Sequence, residues 1–154
     1  MPAVTRPSDP YAPFIPQRGR RVALGFAAAS LVVFVALTVA LSSGDVPAWN
    51  TSDSVLLLGV GVLLAATMWR FAALRAVPSP TGLVVRNILL TREVTWAEVS
   101  RVRFAGGDPW VVLDLTDGDQ LAVMAVQKAD GPFARAAAQR LAALVQAGHS
   151  GRLQ

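Results

Sequence analysis

The sequence predicts a membrane α-hairpin followed by a small α+β domain: a compact antiparallel sheet or half-open β-barrel capped by one C-terminal helix. Three observations predict it. Two uncharged apolar runs, Val22–Leu41 and Val55–Trp69, stand close together. A different texture, short segments rich in β-branched and aromatic residues, begins after Pro78 and Pro80. A run of good helix formers then extends from Phe133 to Ala147. Composition agrees, with 53% hydrophobic residues and only 16% charged, where soluble domains carry about one quarter charged.

Residues 1–20 read as a disordered N-terminal arm. Pro2, Pro7, Pro10, Pro13 and Pro16 interrupt backbone hydrogen bonding at every turn of chain. Tyr11, Phe14 and Ile15 are candidates for a docking motif inside it, but a plain linker explains them better.

Residues 21–75 are assigned to the transmembrane hairpin, with spans at about 22–41 and 55–74. Twenty residues from Val22 to Leu41 extend about 30 Å as a helix, the thickness of the hydrocarbon core. A signal peptide has a shorter apolar region and no second run close behind it, so an uncleaved span is expected. The second run alone is short, but continuing it to Leu74 completes a span, with Arg70 snorkelling to the headgroups. Gly25 with Ala29, and Gly61 with Ala65, supply small residues four apart, suited either to a contact within the hairpin or to self-association.

Orientation follows from basic residues. Arg18, Arg20 and Arg21 flank one outer end of the hairpin, and Arg70 and Arg75 the other, whereas the connector 42–53 has none. The positive-inside rule therefore places both termini in the cytoplasm, in a multi-pass protein of the cell membrane. Trp49 and Trp69 stand where interfacial aromatics belong. Asn50-Thr51-Ser52 matches a glycosylation sequon too short to carry weight.

Residues 76–147 form the β-rich domain, and 148–154 a flexible tail. Segments 83–86, 92–96, 101–104, 110–115 and 121–124 read as strands. Asp117-Gly118-Asp119 makes the last two a hairpin. Phe133, Ala137, Leu141 and Leu144 share one helical face for packing on a sheet. Trp96 reads as a buried anchor more readily than as a ligand platform.

Gly82-Leu83-Val84-Val85-Arg86-Asn87, then Thr91-Arg92-Glu93-Val94-Thr95-Trp96-Ala97-Glu98-Val99, then the Asp117-Gly118 hairpin and the alanine-rich helix, resemble a bacterial pleckstrin-homology-like (PH-like) domain. The nearest likeness is to the actinobacterial low-molecular-weight protein antigen six family, which is similar in layout. The resemblance covers about residues 77–145. It implies a half-open barrel capped by a helix, and it implies no particular activity. The strands fall one or two short of a seven-stranded PH domain, which would leave an edge open to another copy or to a partner.

Little in the sequence suggests an enzyme. The absence of cysteine excludes disulfides, thiolate metal sites and cysteine nucleophiles. His149, the single histidine, sits in a Gly-Ser-Gly tail and reads as a bystander. The aspartates around Gly118 lack the other ligands of a calcium loop. Glu93 and Glu98 have no nucleophile or oxyanion hole beside them. No metal, cofactor or nucleic acid is expected.

The net charge of +4 is better placed for a membrane surface. Arg86, Arg92, Arg101 and Arg103 punctuate three strands and are candidates for one outward face that contacts lipid or a partner. In phosphoinositide-binding PH domains the first hairpin carries such residues, and Arg86 and Arg92 flank the matching hairpin. The function expected is a membrane-anchored, non-enzymatic module that docks a protein partner at the inner face of the membrane, in an envelope-related assembly. The alternative is a binder of anionic lipid headgroups. The expected partners are membrane lipids, an unknown protein, and a second copy of the chain.

Overall fold

A computed structural model describes residues 9–44 and 46–151. Met1–Ser8 of the expected arm and residues 152–154 of the expected tail lie outside the described residues. The chain divides into two compact units, one of residues 18–73 and the other of residues 1–17 with 74–154.

The first unit is a pair of helices, α1 (Gln17–Ser43) and α2 (Thr51–Ala72), each long and apolar enough to cross a membrane. Alanine and leucine favour helix in both. Asn50 sets the start of α2: its Oδ1 accepts hydrogen bonds from the backbone N–H groups of Ser52 (2.8 Å) and Asp53 (3.2 Å). Asp53 Oδ2 accepts from the Asn50 N–H in return (3.1 Å), closing a capping box. The sequon asparagine is therefore a helix cap here.

Gly61 and Ala65 are buried and line the contact within the hairpin. A Cβ at Gly61 would stand 2.6 Å from the Cβ of Phe34, so only glycine admits this approach. Ser30 Oγ reaches the Gly61 carbonyl across the helices (3.3 Å). Gly25 and Ala29, by contrast, are exposed.

Among its described residues the second unit holds six strands and an α-helix: β1 (Arg75–Pro78), β2 (Gly82–Arg86), β3 (Thr91–Thr95), β4 (Val99–Arg103), β5 (Trp110–Leu115), β6 (Gln120–Gln127) and α3 (Pro132–Ser150). They form two antiparallel three-stranded sheets, ordered β1-β2-β3 and β4-β5-β6. Alternate residues of both sheets, among them Leu83, Val85, Leu113 and Val123, meet Leu141 of α3 in one core. Gly118, at φ +90°, makes the predicted β5–β6 turn.

Three expectations need correction. The second apolar helix ends at Ala72; Leu74 is buried and already belongs to the second unit, and Arg75 opens β1, paired in register with Arg86. This strand was hidden because its four residues continue the apolar texture of α2 and end in proline, which a final strand position tolerates.

The arm is ordered over residues 9–17. The Phe14 N–H donates to the Ala76 carbonyl (2.8 Å) and the Ala76 N–H to the Phe14 carbonyl (3.0 Å), while the Phe14 ring is 3% exposed. The neighbouring prolines do not obstruct this bridge, because the one N–H it requires of the arm is that of Phe14.

The tail expected from residue 148 is, to Ser150, the last turn of α3. Glycine is needed at 148 because a Cβ there would lie 2.5 Å from the Cβ of Trp96.

Candidate functional site

Antiparallel register decides which side chains share a face, since neighbours along a strand point to opposite sides. In the first sheet Leu83, Val85 and Val94 face the core. Arg92 lies opposite Val85 and so belongs to that same side, at the sheet's margin. Arg86 lies opposite Arg75 on one side and Thr91 on the other, on the outward side. The two arginines that flank the β2–β3 hairpin therefore point to opposite faces.

Arg101 and Arg103 stand on β4, in the other sheet. The expected common arginine face is thus divided, because the sheet breaks between β3 and β4.

Two of the four candidates are also neutralised locally. Arg92 approaches Asp117 (3.6 Å) and Asp119 (3.4 Å) of the β5–β6 turn. Arg103 lies between Asp108 (3.9 Å) and Asp114 (3.6 Å). Among the described residues no carboxylate pairs with Arg75, Arg86 or Arg101. The aspartates that invited a calcium reading thus serve as partners for arginines.

Of the expected interfacial residues, Arg18, Arg20 and Arg21 fall in the first turn of α1, and Trp69 and Arg70 in the last turn of α2. Trp49 lies in the connector, where its indole N–H donates to Ser54 Oγ (3.0 Å).

The β2–β3 hairpin carries features that strand reasoning missed. Asn87 ties it to the second sheet, donating from Nδ2 to the Ala122 carbonyl (2.8 Å) and accepting at Oδ1 from the Met124 N–H (3.3 Å). Its tip then exposes Leu89 (85%) and Leu90 (74%). The sequence Ile88-Leu89-Leu90, between Asn87 and a strand, was the available signal.

At the opposite end of these strands Trp96 is buried, as expected of an anchor. Its indole N–H donates to the Ser79 carbonyl (3.0 Å), and its own carbonyl meets Nε2 of His149 (2.9 Å). His149 therefore joins α3 to the turn that follows β3. Glu98 Oε2 accepts from both the N–H and the Oγ1 of Thr95 (2.7 Å each), and these bonds hold its carboxyl below the usual carboxylate range.

The ordered arm makes a further surface. The Arg140 guanidinium lies 3.9 Å over the Phe14 ring and donates to the Ala12 carbonyl (2.9 Å). A cavity of about 150 Å³ lies between the arm, β6 and α3, lined by Phe14, Asp130, Phe133 and Ala137 among others. Asp130 is buried and accepts from the Gln17 N–H (3.0 Å).

Residues 73–143 match the family model of a bacterial PH domain; this segment, with its two small sheets and C-terminal helix, is similar to a PH-like domain. The chain is also similar to uncharacterised proteins of Mycobacterium bovis and of two strains of Mycobacterium tuberculosis. Each is 39% identical over 104 residues, which cover 68% of this chain and 66% of the relative. The match thus spans just under two thirds of each relative's length. No solved structure matches it significantly.

Proposed function

We propose that the chain is a membrane-anchored, non-enzymatic interaction module. The α1–α2 hairpin spans the cell membrane with both flanks cytoplasmic, and the PH-like domain, read as a half-open barrel, docks a protein partner of an envelope-related assembly at the inner face. Anchoring raises the effective concentration of the domain at that surface, so a weak contact suffices.

The observation that carries this reading is the outer edge of β3. Among the described residues β3 pairs only with β2, and Thr91, Glu93 and Thr95 along it are exposed. An unpaired edge offers main-chain donors and acceptors to a partner strand. The narrower kinship with the actinobacterial antigen six family belongs to this proposal; mycobacterial relatives support the lineage, not the subfamily.

The test is in-cell photo-crosslinking of the full chain, with a photoreactive side chain at Glu93 or at the exposed Ala143 of α3. A defined protein adduct from 93 and not from 143 is the expected result. The same adducts from both positions, or none from 93, would contradict docking at the edge.

A second reading, binding of anionic headgroups, is favoured by Arg86 and Arg101, with which no carboxylate of the described residues forms an ion pair. Lipid adducts from 93 in place of a protein would bring it forward.

A further inference from the structure

We infer that the outer edge of β3 selects a basic extended segment and refuses a second copy of this chain: an arginine or lysine of the incoming strand lies opposite Glu93, among the carboxylates around that edge. The inference rests on the edge docking proposed above and names the chemistry of the partner.

Which backbone groups the edge offers follows from one turn bond. The Asn87 N–H donates to the Leu90 carbonyl (2.9 Å), and hydrogen-bonded pairs recur at every second position of an antiparallel ladder. Arg92, opposite Val85, and Val94, opposite Leu83, therefore direct their N–H and C=O groups to β2. Thr91, Glu93 and Thr95 aim theirs outward. The Thr95 N–H is already donated to Glu98 Oε2 (2.7 Å), so among the described residues Thr91 and Glu93 are the ones ready to receive a strand.

A second copy is refused in the registers that pair most of the strand. Two β3 strands joined antiparallel about a two-fold axis keep their core faces on one side, and their pairing must centre on a residue. Centred on Glu93, it sets Glu93 against Glu93; centred on Arg92, it sets Arg92 against Arg92. Like charges directly opposite destabilise a strand pair. Centred on Val94, it requires the Thr95 N–H that Glu98 holds. Charged side chains in such positions guard an edge against its own kind.

The same charges define what is admitted. Glu93, Glu98, Asp117 and Asp119 are all exposed, and Arg92 marks their common neighbourhood. It follows Thr91 and precedes Glu93, approaches Asp117 (3.6 Å) and Asp119 (3.4 Å), and acts together with Asp117 on the Glu98 carboxyl. Four carboxylates thus share one guanidinium, in a chain whose net charge is +4. Arg86, opposite Thr91, stands one strand in from the edge. An incoming strand meets negative potential along the edge, and a cation opposite Glu93 completes a favourable cross-strand pair.

The probe is a short, fluorophore-labelled peptide of alternating lysine and valine, titrated by anisotropy against the full-length protein in phosphatidylcholine nanodiscs. Two companions separate charge from pairing: a glutamate–valine peptide, and the lysine–valine peptide N-methylated throughout, which keeps its charge but cannot donate to a ladder. The lysine–valine peptide should bind severalfold more tightly than either. Glu93→Lys, at an exposed side chain, should keep its Tm and reverse the preference toward the glutamate–valine peptide. Gln146→Lys on α3 should leave the preference as it was.

Lysine–valine binding no tighter than glutamate–valine binding, or no binding at all, overturns the basic partner. Undiminished binding of the N-methylated peptide would instead mean attraction without strand pairing, and would sink the edge docking itself. The cysteine-free chain checks the remaining clause with a short bismaleimide. Crosslinking of Thr91→Cys to a second copy, at a yield above that of Gln146→Cys, overturns the refusal of self-pairing.

Discussion

Single residues separate what composition suggests from what the fold permits. Arg92 and Arg86 stand six apart on one hairpin and look equivalent in sequence, yet register sends them to opposite faces and Arg92 to Asp117 and Asp119. Pairing of that kind joins residues far apart in the chain and follows only from the placement of the second sheet. His149 and Asn87 were silent for the same reason, since their partners are backbone groups of distant segments. Trp96 was legible, because a lone tryptophan beside a strand seldom has a better place than the core.

Glu98 yields a prediction at this scale. Its bonds to Thr95 depress its folded pKa below the unfolded value, so its contribution to stability is present above the ordinary glutamate pKa of ~4.3 and lost as pH falls through the folded value. Thermal unfolding of the detergent-solubilised protein should show an acid-side fall in Tm that is smaller in Glu98→Ala. An identical fall in both would mean that the bonds to Thr95 contribute nothing measurable.

At the scale of elements, the regular pieces were read well and the joints poorly. Both apolar helices, five of the strands, the Asp117-Gly118 turn and α3 announce themselves by period and by their breakers, as local physics should. β1 and the Phe14 bridge do not. Arg75–Pro78 is too short to show alternation, and Phe14 is held by two backbone bonds and a buried ring, contacts that depend on Ala76 and Arg140.

The arm accordingly behaves as a part of the domain. Phe14→Ala removes a buried ring and its contact with Arg140, and should cost about 3–5 kcal/mol, read as a clear drop in Tm. Ile15→Ala, at a half-exposed side chain (40%), should cost much less. Equal effects would return the arm to the status of a linker.

At the scale of the molecule, the helical and stranded halves were visible because they differ in texture: long apolar runs of helix formers in one, alternating short segments suited to a half-buried sheet in the other. The site was less visible, because an interaction surface has no required constellation of side chains comparable to a catalytic one. What the structure adds is placement. It sets aside Arg92 and Arg103 as ion-paired and leaves Glu93 exposed on the outer edge of β3.

The central claim is that a two-helix hairpin holds the PH-like domain at the cytoplasmic face. Single cysteines at the exposed positions Ser52 and Gln146 in the cysteine-free chain test it with a membrane-impermeant thiol reagent on intact cells. The account predicts labelling of Ser52→Cys in intact cells and of Gln146→Cys only after permeabilisation. Labelling of Gln146→Cys from outside, or protection of both positions until permeabilisation, would contradict it.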